Sequence, residues 1–221
     1  MKPLLTKKQI KLYEDDGYLI VRDCLNREYI DNMMNFIAHV IRLESREVDN
    51  KNIDNTYILN DLLIRLKSEN PSSSSWIYQT LQSSYQLREL FIKLDLTSMV
   101  MQLLKMKDIN NLGTVSPAVR FDIPGDKKNI REWHQDGNYF LENKNGDNAL
   151  VTWIPLNKAT KENGSVIIAK GSHKKYKQKS IHINSKKFES EQFVTPEELF
   201  KGYEQIHVNA NPGDIAFIHM D

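Results

Sequence analysis

Glu132-Trp133-His134-Gln135-Asp136 is the stretch from which the fold of this chain is read. Taken as an extended strand, side chains two residues apart share a side, so the His134 imidazole and the Asp136 carboxylate converge while Gln135 faces away. The sequence around it has the same character. Beyond Asn110, apolar residues alternate or form short runs broken by Gly, Pro, Asn and Asp, which predicts strands over 114–123, 133–136, 149–156, 165–169, 205–208 and 214–219. Asn163-Gly164 predicts a tight hairpin, because that pair accepts positive φ. Short strands separated by turn signals predict a jelly roll, a double-stranded β-helix able to hold a site in its open mouth.

Toward the N-terminus the pattern turns helical. Thr6 and Gln9 form a capping-box pair for a helix that runs through Tyr13 and stops at Gly17, and Tyr18 to Val21 reads as a short strand. Asn26 caps a longer helix with an apolar stripe of Ile30, Met33, Met34, Ile37 and Ile41. Ile58, Leu62, Leu63 and Leu66 predict another, and Pro71 with Ser72 to Ser75 predicts a mobile loop. Helices are also expected over 85–92 and 97–105, the latter capped by Thr97. The expectation is an α+β chain forming a single domain over 1–221. Its mainly helical part (1–109) packs on a jelly-roll part (110–221).

The chain has 221 residues, 40% of them hydrophobic, enough for one sizeable core. Its 30 basic and 29 acidic residues leave a net charge of +1. No global field therefore marks nucleic acid or a membrane as partner, and a small-molecule substrate fits better. The single cysteine, Cys24, has no internal disulfide partner, and the N-terminus lacks the apolar run of a signal peptide or membrane span. A reducing, cytoplasmic location is expected. Nothing in the sequence fixes an oligomeric state.

Convergence of His134 and Asp136 supplies half a metal site. Two histidines and one carboxylate on one face of an octahedron leave three positions open, the arrangement of non-haem Fe(II) oxygenases. The bland alternative is a hydrogen-bonded histidine and acid without metal. Arg120 could bind a carboxylate or pair with Asp122, and Trp153 could be core. Tyr139 and Phe140 could line a substrate pocket or pack under a loop. His173 reads as fixing a turn, while His39, His182 and His207 read as surface or strand positions. His219 reads either as a strand residue or as a further ligand. Cys24 reads as a small core residue without a neighbour to activate it.

Several segments in register resemble the phytanoyl-CoA dioxygenase family. They are Leu5-Thr6 to Gln9 with Asp16-Gly17-Tyr18-Leu19-Ile20-Val21, then Arg120-Phe121-Asp122-Ile123-Pro124-Gly125, then Trp133-His134-Gln135-Asp136 with Tyr139-Phe140. Thr152-Trp153-Ile154-Pro155-Leu156, Glu162-Asn163-Gly164-Ser165 and Gly171-Ser172-His173-Lys174 follow in order, and Pro212-Gly213-Asp214 to His219 closes the series. Lys170 stands where the family usually has proline.

The resemblance implies Fe(II) bound by His134 and Asp136, with 2-oxoglutarate as co-substrate and dioxygen as the oxidant. It places Trp153 against 2-oxoglutarate, with Gln135, Val119 and Arg120 bordering the same pocket. It also implies hydroxylation rather than halogenation, because related halogenases carry a small residue in place of the carboxylate of Asp136. The family's second iron-binding histidine and its 2-oxoglutarate arginine would both follow Asp221. The expectation is therefore a piece of a longer protein rather than a naturally shortened relative. Two other functions stay open: a non-catalytic binding or scaffold member of the family, and a cupin-type metal enzyme. The serines 72–75 and residues 143–148 are the expected lids.

Overall fold

A computed structural model of the chain describes residues 4–46, 54–93, 96–115, 117–140, 148–185 and 190–221. It consists of helices and small antiparallel sheets, divided between two compact units. One unit comprises Met1–Cys24, Thr97–Leu112 and Pro124–Asp221; the other comprises Leu25–Leu96 and Gly113–Ile123.

The first unit begins with the expected capping box. Gln9 N donates to the Thr6 hydroxyl at 3.2 Å, and Thr6 N donates to Gln9 Oε1 at 2.9 Å, so helix α1 (Lys7–Asp16) starts with two of its N-terminal amides satisfied reciprocally. It ends at Gly17, whose φ of +79° lets its amide turn back to the Tyr13 carbonyl. Strand β1 (Tyr18–Val21) follows directly. Helix α7 (Leu96–Leu103) starts one residue before Thr97, so Thr97 lies inside the helix rather than capping it. Gln102 of α7 accepts the Leu5 amide at 3.1 Å.

The main sheet has the order β1-β7-β2, with β2 at Leu150–Trp153 and β7 at Ile215–His219. Both pairings are antiparallel, setting Tyr18 opposite Ile218 on one side of β7 and Trp153 opposite Ala216 on the other. The central strand is the most buried. Ile215, Ala216 and Phe217 are fully enclosed, and removing the Phe217 side chain from water alone contributes about 2–3 kcal/mol. At the foot of β7, buried Asp214 accepts from Arg22 Nη1 (2.6 Å), Asp23 N (3.0 Å) and Asn211 N (2.8 Å), tying the end of β1 to the turn before β7. Cys24 is half-buried, and burial pushes its thiol up to about 11, which keeps it protonated and unreactive at neutral pH.

Two smaller sheets complete the unit: β3 (Ile167–Ala169) with β6 (Gln205–His207), and the hairpin β4 (Ile181–Ser185) with β5 (Ser190–Val194). The hairpin is not among the strands expected from the sequence. Asn163-Gly164 is a turn, though of a different kind from the expected hairpin. Lys161–Asn163 forms a 3-10 turn closed by Gly164 at φ +92°, and the Asn163 side chain folds back onto the Thr160 amide.

In the second unit Asn26 caps α2 (Arg27–Ser45) by accepting the Glu28 amide at 3.0 Å. Ile30, Met33, Ile37 and Ile41 are buried as the stripe predicts, with Met34 at its margin. Short helix α3 (Asn55–Tyr57), a π turn (Ile58–Leu62) and α4 (Leu63–Glu69) bury Ile58, Leu62 and Leu63. The loop expected at Pro71 to Ser75 is instead the start of helix α5 (Pro71–Ser83). Pro71 occupies the first helical position, where a missing amide costs nothing and a fixed φ suits the helix. Helix α6 (Tyr85–Lys93) follows.

The strand expected over 114–123 is absent among its described residues. The Phe121 amide donates to the Tyr78 hydroxyl at 3.4 Å, with the two rings 5.3 Å apart, so side chains rather than a neighbouring strand hold this segment. No described helix is long and apolar enough to cross a membrane.

Candidate metal centre

The segment carrying the centre is not a ladder strand: the chain bends at Trp133 and is extended at Gln135 (φ −111°, ψ 121°). Its peptide groups bond to the β4–β5 hairpin and the residues flanking it. Glu132 N donates to Gln192 Oε1 (3.0 Å), Gln135 N to Ser180 Oγ (3.0 Å), and Thr195 N to the Trp133 carbonyl (2.6 Å). Ser180 Oγ and Thr195 Oγ1 share a hydrogen bond of 2.6 Å. Asp136 then opens a 3-10 turn (Asp136–Tyr139), in which the Gly137 amide donates to the Met220 carbonyl at 2.8 Å. The expected strand over 133–136 is thus corrected to a bend at Trp133 followed by a 3-10 turn from Asp136.

The convergence expected of the two side chains is nonetheless present. His134 Nε2 lies 3.4 Å from Asp136 Oδ1, and both side chains retain some solvent access. His134 Nδ1 is 2.7 Å from the Glu132 carbonyl. A carbonyl only accepts, so Nδ1 carries the proton and the lone pair of a neutral His134 is on Nε2, facing Asp136. Burial pushes the imidazole pKa down, but the hydrogen bond and charge of Asp136, with the Glu132 carbonyl, outweigh it and leave the net value raised. Tyr139 meets the His134 ring edge-on at 5.6 Å. Its hydroxyl accepts the Phe193 amide at 3.0 Å, and its ring contacts that of Phe193 at 4.9 Å.

The other residues singled out from the sequence take varied positions. Gln135 is buried, with its side-chain amide engaged by the Tyr176 carbonyl and the Lys179 amide. Trp153 is the last residue of β2 and half-buried, and Phe140 is half-buried after the 3-10 turn. Val119 and Arg120 belong to the helical unit, where Arg120 Nε pairs with Asp122 Oδ1 at 2.8 Å. Trp133 stacks on Phe200 at 4.5 Å.

Of the remaining histidines, His39 and His182 are exposed and His207 is half-buried on β6. His173 is buried and its Nε2 donates to the Glu14 carbonyl at 3.2 Å, fastening the turn as expected. His219 ends β7, its ring 4.7 Å from that of His173, and its Nδ1 accepts the Asp221 amide at 3.1 Å. Among the described residues no group of three or more His, Cys, Asp or Glu side chains is gathered around one point. Of residues 143–148, expected as a lid, 143–147 lie outside the described residues.

Gln192, Ser180, Thr195 and Phe193 contribute to the centre without having been singled out. The alternation Ile181-His182-Ile183-Asn184 is the period-two signal that could have placed the first of the two strands.

A histidine and an aspartate two residues apart, with Nε2 facing the carboxylate, match two of the three donors that a two-histidine, one-carboxylate iron site uses. The family model for phytanoyl-CoA dioxygenase (PhyH) matches residues 13–221, and the chain belongs to that family. Members of the family typically use Fe(II) and 2-oxoglutarate, so membership supports an oxygenase.

Proposed function

We propose that this protein is an Fe(II)- and 2-oxoglutarate-dependent dioxygenase that hydroxylates a small molecule while 2-oxoglutarate is decarboxylated to succinate. The scaffold in this proposal is one domain across 1–221, with a mainly helical part (1–109) and a jelly-roll part (110–221). The observation that carries the reading is His134 Nε2 lying 3.4 Å from Asp136 Oδ1, with Nδ1 turned away onto the Glu132 carbonyl. An imidazole nitrogen and a carboxylate oxygen this close could both be donors to a single ferrous ion.

His134 and Asp136 would hold the iron, which when bound supplies, with 2-oxoglutarate and dioxygen, the oxidising power for C–H hydroxylation. The protein's own task is to position. The Glu132 carbonyl holds the His134 tautomer, and Tyr139 braces the ring on one edge. Asp136 brings negative charge to the cation, and its carboxylate favours hydroxylation over halogenation because it leaves no vacant position for a halide. Trp153 and Gln135 are proposed to border the co-substrate, and Tyr139 and Phe140 the substrate, on the strength of the family resemblance. Gln135 already uses its side-chain amide on the backbone at Tyr176 and Lys179, which suits holding the segment better than gripping a ligand.

The test is succinate formation from 2-oxoglutarate with added Fe(II) and oxygen, comparing the full-length protein with its Asp136→Ala variant. Turnover in the wild type, lost in the variant, supports the dioxygenase. Equal turnover in both overturns the assignment of Asp136, and none in either favours the non-catalytic binding role.

A further inference from the structure

Gln192 is a polar side chain 1% exposed in the middle of β5, an expensive position unless both ends of its amide are used. Both are used on the segment that carries the metal ligands. Its Oε1 accepts the Glu132 amide at 3.0 Å, and its Nε2 donates to the Ile130 carbonyl at 3.0 Å. Those are the two peptide groups on either side of Arg131 that an adjacent antiparallel strand would engage from its own backbone. One side-chain amide thus stands in for a missing strand.

We infer that Gln192 is a positioning residue for His134, acting through the Glu132 peptide. The Glu132 amide is fixed by Gln192, and the Glu132 carbonyl receives His134 Nδ1 at 2.7 Å. Holding that residue at its amide aims its carbonyl at the ring, selects the tautomer with hydrogen on Nδ1, and presents Nε2 toward Asp136 Oδ1. The neighbouring contacts serve the same end. Thr195 N holds the Trp133 carbonyl, and the Ser180–Thr195 hydroxyl pair holds the Gln135 amide, so each peptide from Glu132 to Gln135 is pinned by the hairpin region at one atom or more or by His134 itself. The Gln192 contact holds the residue whose carbonyl meets the imidazole. Orientation of a metal ligand by its outer partner typically changes metal affinity 10- to 100-fold when lost. The inference rests on the metal-site reading for its functional meaning but not for its geometry.

Gln192→Met keeps the length and apolar volume while removing both hydrogen bonds, and 15N NMR of the histidine rings reads the tautomer directly in metal-free protein at alkaline pH. The wild type is expected to show His134 as the Nδ1–H form, and the variant a mixture with the Nε2–H form. Anaerobic calorimetry with Fe(II) is expected to show affinity weakened about 10- to 100-fold in the variant. His134 in the Nε2–H form in the wild type, or an unchanged tautomer in a folded variant, overturns the inference. Should that variant fail to fold, Gln192→Glu, which keeps an acceptor for the Glu132 amide but loses the donor to the Ile130 carbonyl, is expected to retain the Nδ1–H form, and a shift to Nε2–H in it overturns the inference. A shifted tautomer with no iron binding by either protein sustains Gln192's role and removes the metal-site reading instead.

Discussion

A methyl group placed on Gly17 would lie 2.5 Å from His173 Nδ1, so the buried ring occupies the space in which residue 17 would otherwise carry a side chain. Gly17 also sits at φ +79° and joins α1 to β1, where two separate demands fall on one residue. Gly17→Ala should therefore cost about 3 kcal/mol, combining a left-handed backbone with overpacking. Urea unfolding of Gly17→Ala, His173→Ala and the double variant checks this. The expected coupling is favourable, with the double variant more stable than the sum of the single losses, because removing the ring relieves the clash; strict additivity would refute the contact.

Asp214→Asn should destabilise the protein by about 2–3 kcal/mol at neutral pH, since the buried carboxylate accepts from Arg22 and from two backbone amides. Burial pushes the Asp214 carboxyl up, but the amides of Asn211 and Asp23 and the Arg22 guanidinium outweigh it, leaving the pKa below its ordinary value. A lowered folded-state pKa gives stability that is present above the unfolded value near 4 and disappears as pH falls through the lower folded value. The gap between wild type and variant should accordingly narrow in that acid window, as denaturation at a series of pH values will read.

For metal-free His134 the sign is reversed. Burial alone lowers its pKa, and the Asp136 carboxylate is the leading contribution raising it above the ordinary value. The pair's contribution to stability is fully present below the unfolded histidine value near 6.5 and is lost as pH rises through the higher folded one. Asp136→Asn should shift the His134 NMR titration to lower pH, and a midpoint unmoved or raised would show that the two groups do not interact.

Tyr139→Phe removes the hydroxyl that accepts the Phe193 amide while leaving the ring against His134. With Tyr139 partly open to water, the loss should be about 1 kcal/mol by chemical denaturation. Tyr139→Ala should cost more and also release the edge contact on the imidazole, visible as broadening of the His134 resonances.

Local signals made much of the helical structure legible. The Thr6–Gln9 box, Gly17, Asn26 and the stripe along α2 act within a few residues, and the structure contains them all. The same locality explains the errors. Pro71 signals a break, yet the break falls at the first residue of α5 rather than in a loop. The strands expected over 114–123 and 133–136 do not form among the described residues, where Tyr78, Gln192 and Ser180 supply side-chain bonds across 43 to 60 residues of sequence. At the site, the two-residue spacing was enough to bring His134 and Asp136 together. The tautomer of His134, set by its own neighbour's carbonyl and steadied by Gln192, left no mark in the sequence pattern.

In the main sheet, β7 lies between β1 and β2, so strands that precede it by nearly 200 and about 65 residues are each bonded to it and not to one another. A ribosome making this protein must finish β7 before either older strand can be hydrogen-bonded in this sheet. Until then the growing chain carries two apolar edges awaiting the same late arrival, and the interval before β7 emerges is when the protein is most exposed to misassembly and most dependent on chaperones.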